Sequence, residues 1–243
     1  MRYIAKITIT VCVFCSLSLC VFCLGTHTQL DAKAYAAAQG WISEANIFTD
    51  TRDGETYRTV TIGDKMWMAE NLKFSTPGSR CYENGVSNCA QYGRLYDWDE
   101  AMSACPAGWR LPSSDDWDRL AVAVGGIRSE HSDEKTVIWD WAGQKLKSRT
   151  GWKKHGNITH GIGTDEFGFS AFPGGSWMIG REGNGSFHGI GGSGLWWSAT
   201  ETNGRGNDGL SVRCYIIHSW GSVLVSIVVT TDQQLGSIRC IQE

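Results

Sequence analysis

The sequence predicts an α+β fold, on three observations. Short alternating segments bounded by turn dipeptides open the main domain, one well-capped amphipathic helix occupies its middle, and a second set of alternating segments runs to the C-terminus. At the start, Asp53-Gly54 and Gly63-Asp64 flank the run from Tyr57 to Ile62, and Lys65 to Met68 follow, which predicts two or three antiparallel strands. After Pro112, Ser113 is placed to cap a helix with Asp116 three residues on. Asp115, Asp116 and Asp118 put negative charge where the helix dipole favours it. Trp117, Leu120, Ala121 and Val124 recur on one face, and Gly125-Gly126 ends the run. Shorter helices are expected over Asp97 to Ala104 and near Trp139 to Lys147.

Between Gly151 and Gly194, glycine and aromatic residues alternate without helical or strand periodicity. Trp152, Phe167, Phe169, Phe172, Trp177 and Phe187 supply apolar anchors, so a large structured loop region is expected rather than a linker. Strands are expected again over Leu210 to Ile217, Val223 to Val229 and Leu235 to Ile241, with Ser219 to Ser222 and Thr231 to Gln234 as turns.

At the N-terminus, Arg2 and Lys6 precede an almost uncharged apolar run from Ile7 to Leu24, the pattern of an export signal. Residues 1–25 are expected to be a signal peptide cleaved after Gly25. An uncleaved anchor and lipidation at Cys20 are the alternatives. Residues 26–45 then form a polar, alanine-rich tether and residues 46–243 one domain. The removed segment holds two of the 22 basic residues and none of the 25 acidic ones, leaving a net charge of −5. No basic block offsets that charge, which excludes nucleic acid as an expected partner. The membrane is expected as a partner only through the N-terminal segment, if that segment is uncleaved or lipidated.

Few residues suggest chemistry. His155 and His160, with Asp165, lack a third ligand of defined spacing, so no metal and no cofactor is expected. The acidic clusters Asp97, Asp99, Glu100 and Asp115, Asp116, Asp118 read as helix N-terminal halves. Cys214 is the best nucleophile candidate, yet it lies in an apolar-alternating segment where a cysteine is ordinarily a packed hydrophobe.

Several blocks carry a family resemblance: Val60 to Leu72, Tyr92 to Trp98, Cys105 to Ser113, Gly168 to Gly175, Gly194 to Glu201, and Ser237 to Cys240. In this order they resemble the Fibrobacter succinogenes major paralogous domain, from about Phe48 to the C-terminus. The resemblance implies a bacterial surface or secreted protein with a C-type-lectin-like fold, related also to formylglycine-generating enzymes. The calcium-binding tripeptides of the lectins, Glu-Pro-Asn, Gln-Pro-Asp and Trp-Asn-Asp, do not occur here. The copper-binding cysteine pair of the enzymes has no counterpart around Cys214.

Outside the export signal five cysteines remain, in a chain that matures where disulfides persist. Cys105 is expected to bridge to Cys240, and Cys81 to Cys89 as a local staple, leaving Cys214 unpaired. Of twelve tryptophans, Trp67, Trp98, Trp109, Trp117, Trp196 and Trp197 are expected in the core, whereas Trp177 and Trp220 adjoin glycine-rich loops or turns. Trp177, Asp208, Tyr215, His218 and Trp220 are the expected ligand-contacting residues. The function expected is a non-enzymatic recognition or adhesion module at the cell envelope or outside it, binding an extracellular polysaccharide or a surface or matrix protein. The alternatives are a formylglycine-generating-type enzyme with Cys214 as its reactive thiol, and a purely structural envelope protein.

Overall fold

The structure, a computed structural model, describes residues 46–154, 163–180, 182–202 and 210–243, all within one compact unit. The expected signal peptide and tether, His155, His160 and Asp208 lie outside the described residues. The chain is α+β, with antiparallel strands in three sheets and four short helices among the described residues. It begins with β1 (Asn46–Thr49), β2 (Thr56–Ile62) and β3 (Lys65–Met68). Gly63, at φ +66°, takes the left-handed conformation that the tight turn between β2 and β3 needs.

Helix α1 (Val86–Tyr92) follows, stapled by the Cys81–Cys89 disulfide. Asp97 caps α2 (Trp98–Ala104) by accepting from the Glu100 N–H at 2.8 Å. After β4 (Trp109–Arg110), helix α3 (Ser114–Ala123) starts on the expected capping box of Ser113 and Asp116, and Arg110 pairs with the Asp116 carboxylate at 2.7 Å. Gly125, at φ +72°, follows the helix.

The chain then forms β5 (Ile127–Arg128), β6 (Val137–Asp140), α4 (Ala142–Leu146), β7 (Ser176–Ile179), β8 (Gly185–His188) and β9 (Ser193–Glu201). It ends with β10 (Ser211–His218), β11 (Leu224–Thr230), β12 (Gln234–Leu235) and β13 (Ile241–Gln242). The first sheet has the order β1-β2-β3-β13-β4, so the C-terminal strand sits between strands from the first half of the domain. The Cys105–Cys240 disulfide fastens the same junction. The second sheet has the order β5-β6-β11-β10-β9 and the third β12-β7-β8.

Three expectations need correction. The helix expected near Trp139 to Lys147 is a strand followed by one helical turn, because Trp139 pairs with Leu224 across β6 and β11. The Gly151–Gly194 region is not wholly irregular. It contains the β7–β8 hairpin, whose glycines interrupt the visible alternation, and at Gly185 a Cβ would lie 1.7 Å from the Trp177 ring. The segment Leu235 to Ile241 is not one strand, since β12 and β13 belong to different sheets. Between them the backbone bonds to Tyr96, Leu195, Leu72 and Met68 in turn, and Arg239, fully buried, adds bonds to the carbonyls of Met68, Phe169 and Ser170 and to Asn71 Oδ1.

The main core lies between α3 and the second sheet. Trp117 stacks on Tyr215 at 5.0 Å and meets Phe169, Trp67 and Trp196 edge-on or tilted. A second cluster gathers Tyr57, Met68, Tyr96, Trp98, Trp109, Trp197 and Cys214. All six tryptophans expected in the core are buried.

Candidate functional site

The alternation of β10 decides what its residues can do. Tyr215 and Ile217 point to the core beneath α3, while Cys214, Ile216 and His218 lie on the other face. Tyr215 is therefore not a ligand contact. It is 1% exposed, its ring stacks on Trp117, and its hydroxyl donates to Ser114 O and Asp118 Oδ1, each at 2.9 Å. Burial and the adjacent Asp118 carboxylate push its pKa far up, so it stays a neutral phenol.

His218 ends the strand, and the chain reverses through Ser219, Trp220 and Gly221, where the Gly221 N–H donates to His218 O at 3.3 Å. The His218 and Trp220 rings stack at 4.9 Å with 12° between their planes. Trp220 is 54% exposed, so one indole face is held by imidazole while much of the ring meets solvent. Burial, then the Lys147 charge, lower the His218 pKa, which leaves a neutral imidazole at pH 7.

Two groups fix this turn from below. The Ser219 N–H donates to Gly192 O at 2.8 Å, tying it to the loop that enters β9. Lys147, buried just beyond α4, donates from Nζ to Gly221 O at 2.5 Å and lies 5.0 Å from the Trp152 ring centroid. Burial pulls its pKa down to about 8. The shelf made by His218 and Trp220 thus rests on a rigid base.

Trp177 sits apart from that shelf in the third sheet. Its ring lies against Gly185, opposite Phe187 in register, and the Arg80 guanidinium stands 5.1 Å from its centroid, so it wedges the hairpin and is only part-exposed. Of the five residues expected at a site, the structure brings together His218 and Trp220. One residue that sequence reasoning passes over joins them in character: Trp141, 50% exposed, which follows β6 with φ +68°. Its signal was hidden inside an expected helix.

Among the described residues no three His, Cys, Asp or Glu side chains converge as a metal-holding group. Cys214 is free and fully buried, and burial pushes its thiol up to about 12, outweighing a bond with the Gln234 side chain. A thiol in that state is not a nucleophile at neutral pH.

A family model described as the Fibrobacter succinogenes major domain matches residues 60–242, from β2 into β13. The chain belongs to this family. The matched span takes in the junction of β3, β13 and β4, the α3 cap and the buried β9 tryptophans as well as the shelf residues His218 and Trp220. No curated protein and no solved structure matches the chain. Among the described residues no helix is long and apolar enough to cross a membrane.

Proposed function

We propose that this family member is an exported, non-enzymatic recognition module of the cell envelope or outer surface. It binds an extracellular polysaccharide or a surface protein through the shelf made by His218 and Trp220. The observation that carries this is Trp220, a large aromatic ring that is 54% exposed yet fixed by stacking and by the bonded turn beneath it. Such a ring offers stacking area with little entropy left to lose on binding. Export is supported by the basic and apolar pattern of the first 24 residues and by two disulfides, which persist in oxidising compartments.

The fold belongs, in this proposal, with the C-type-lectin-like folds. Two features support that: the last strand returns between strands of the first half, and a long-range disulfide secures it there. With the lectin calcium tripeptides absent from the sequence, recognition rests on aromatic stacking and neutral hydrogen bonding instead. The enzyme alternative would need Cys214 as an accessible thiolate, and its complete burial weighs against it.

The test is a screen of the protein on glycan and matrix-protein arrays, followed by the Trp220→Ala variant. Binding should fall at least about tenfold, the loss of one well-placed aromatic contact. A folded Trp220→Ala variant that binds like the parent would remove the shelf from consideration.

A further inference from the structure

Trp141 has none of the usual reasons for its position. It is half exposed, so it is not a core residue. It precedes α4 at the N-cap position but makes no side-chain capping bond, where a serine, aspartate or asparagine would. Its backbone lies in the left-handed region, at φ +68° and ψ −17°, which costs an L-residue free energy and which glycine or asparagine takes more readily. Core, cap and turn would each have selected another side chain. What a tryptophan adds here is a large aromatic side chain that stays half exposed.

Its neighbourhood is that of Trp220. Strands β6 and β11 pair antiparallel through Trp139 and Leu224, so the residues after Trp139 and those before Leu224 leave the sheet at the same end. The Gln144 N–H donates to Ser222 O at 3.0 Å, and Gly143 packs so tightly on this turn that an added Cβ would come within 2.1 Å of Val223 O. The segment bearing Trp141 is thereby locked to the segment bearing Trp220. Asp140 and Ser222 are part-exposed on the same two segments, and the neutral His218 ring stacks on Trp220, so hydrogen-bonding groups accompany the aromatic ones.

We infer that Trp141 and Trp220 are two aromatic subsites for one extended glycan chain, with flat-faced, β-linked sugars as the ligand class. β-Linked glucose suits exposed aromatic rings because its equatorial hydroxyls leave both sugar faces apolar for stacking while the rim takes hydrogen bonds. A chain long enough to cover both rings gains from each. The inference rests on the recognition function proposed for Trp220 and narrows its partner from glycan or protein to a polysaccharide.

The experiment titrates the protein with a β-linked glucose disaccharide and hexasaccharide, using the parent, Trp141→Gly and Trp220→Ala, with thermal melts of all three. The parent should bind the hexasaccharide at least about tenfold more tightly than the disaccharide, one additional aromatic contact's worth. Trp141→Gly should reduce hexasaccharide affinity to the disaccharide level while its melting temperature holds or rises, since the left-handed strain is relieved. Trp220→Ala should lose both ligands. If Trp141→Gly keeps the length dependence, or melts several degrees lower with binding intact, Trp141 is structural and the inference fails while the Trp220 shelf stands. Should the parent bind neither oligomer but hold a protein ligand through Trp220, the polysaccharide is wrong and the recognition function survives. If no ligand depends on Trp220, both fall together.

Discussion

Lys147 gives the sharpest quantitative expectation, because a buried amine beneath an exposed turn links pH to stability. Its pKa is pulled down to about 8 by burial, against an ordinary value of about 10.4. Below pH 8 both folded and unfolded chains hold the proton, and the folded state bears the whole cost of the buried charge. Between about 8 and 10.4 the unfolded chain binds the proton and the folded chain does not, so stability rises with pH. The slope is about 1.4 kcal/mol per pH unit, and the whole rise about 3 kcal/mol. Lys147→Met keeps most of the volume and removes the titration. Both proteins should carry Cys214→Ala, because the buried thiol ionises only on unfolding and would then attack the two disulfides. Burial raises the pKa of Tyr57, Tyr96 and Tyr215, which lowers stability above about pH 10, equally in the two proteins. Urea melts at intervals from about pH 7 to about pH 10 then read the difference between them. The Lys147 protein should gain on the methionine variant as pH rises. Parallel stability curves would refute the reasoning, since they would mean that Lys147 titrates alike in folded and unfolded chains.

Further outcomes follow from the packing. Trp117→Ala should cost about 3–5 kcal/mol in chemical denaturation, as Trp117 is fully buried against Tyr215, Phe169 and Trp67, whereas Trp220→Ala should cost under about 1 kcal/mol. Removing Cys105–Cys240, which closes a span of 135 residues, should cost about 5 kcal/mol in the chain-entropy model, and removing Cys81–Cys89, which closes 8, about half that; equal losses in paired alanine variants would contradict it. Gly143→Ala should destabilise by about 1–3 kcal/mol and loosen the Trp220 turn, visible as a redder, more quenchable tryptophan emission, because its Cβ would collide with Val223 O.

Apart from the Cys105–Cys240 bridge, what could be read in the sequence was what is settled within a few residues. The α3 helix declares itself because Ser113, Asp116 and the apolar face to Val124 lie within one short stretch of chain, and the β2–β3 hairpin because Gly63-Asp64 sits between two alternating runs. Trp141 did not, because its conformation is decided by the pairing of Trp139 with Leu224 and the contact of Gly143 with Val223, both about 80 residues away along the chain. Tyr215 was misjudged for a related reason. Alternation shows that 215 and 217 share a face, but which face α3 covers is a tertiary fact. Of the exposed shelf, Trp220 and His218 were legible from the turn beside them, while their stacking and the lysine beneath were not.

The two buried cations show how a fold with so much irregular backbone holds its loops in place. Arg239 gathers carbonyls from Met68 at the end of β3 and from Phe169 and Ser170 outside the strands, and Lys147 takes the carbonyl of Gly221 in the turn, so each ties irregular backbone to the rest of the fold. Such carbonyls would otherwise be costly to bury. A cation with several donors satisfies them from one position, at the expense of desolvating its own charge. Lowered pKa values at both residues are the signature of that expense. For the recognition function proposed above, the return is pre-organisation: a Trp220 turn already set would spend little free energy on ordering when a ligand bound. The loops are thereby fastened by the buried cations to the frame that the sheets provide.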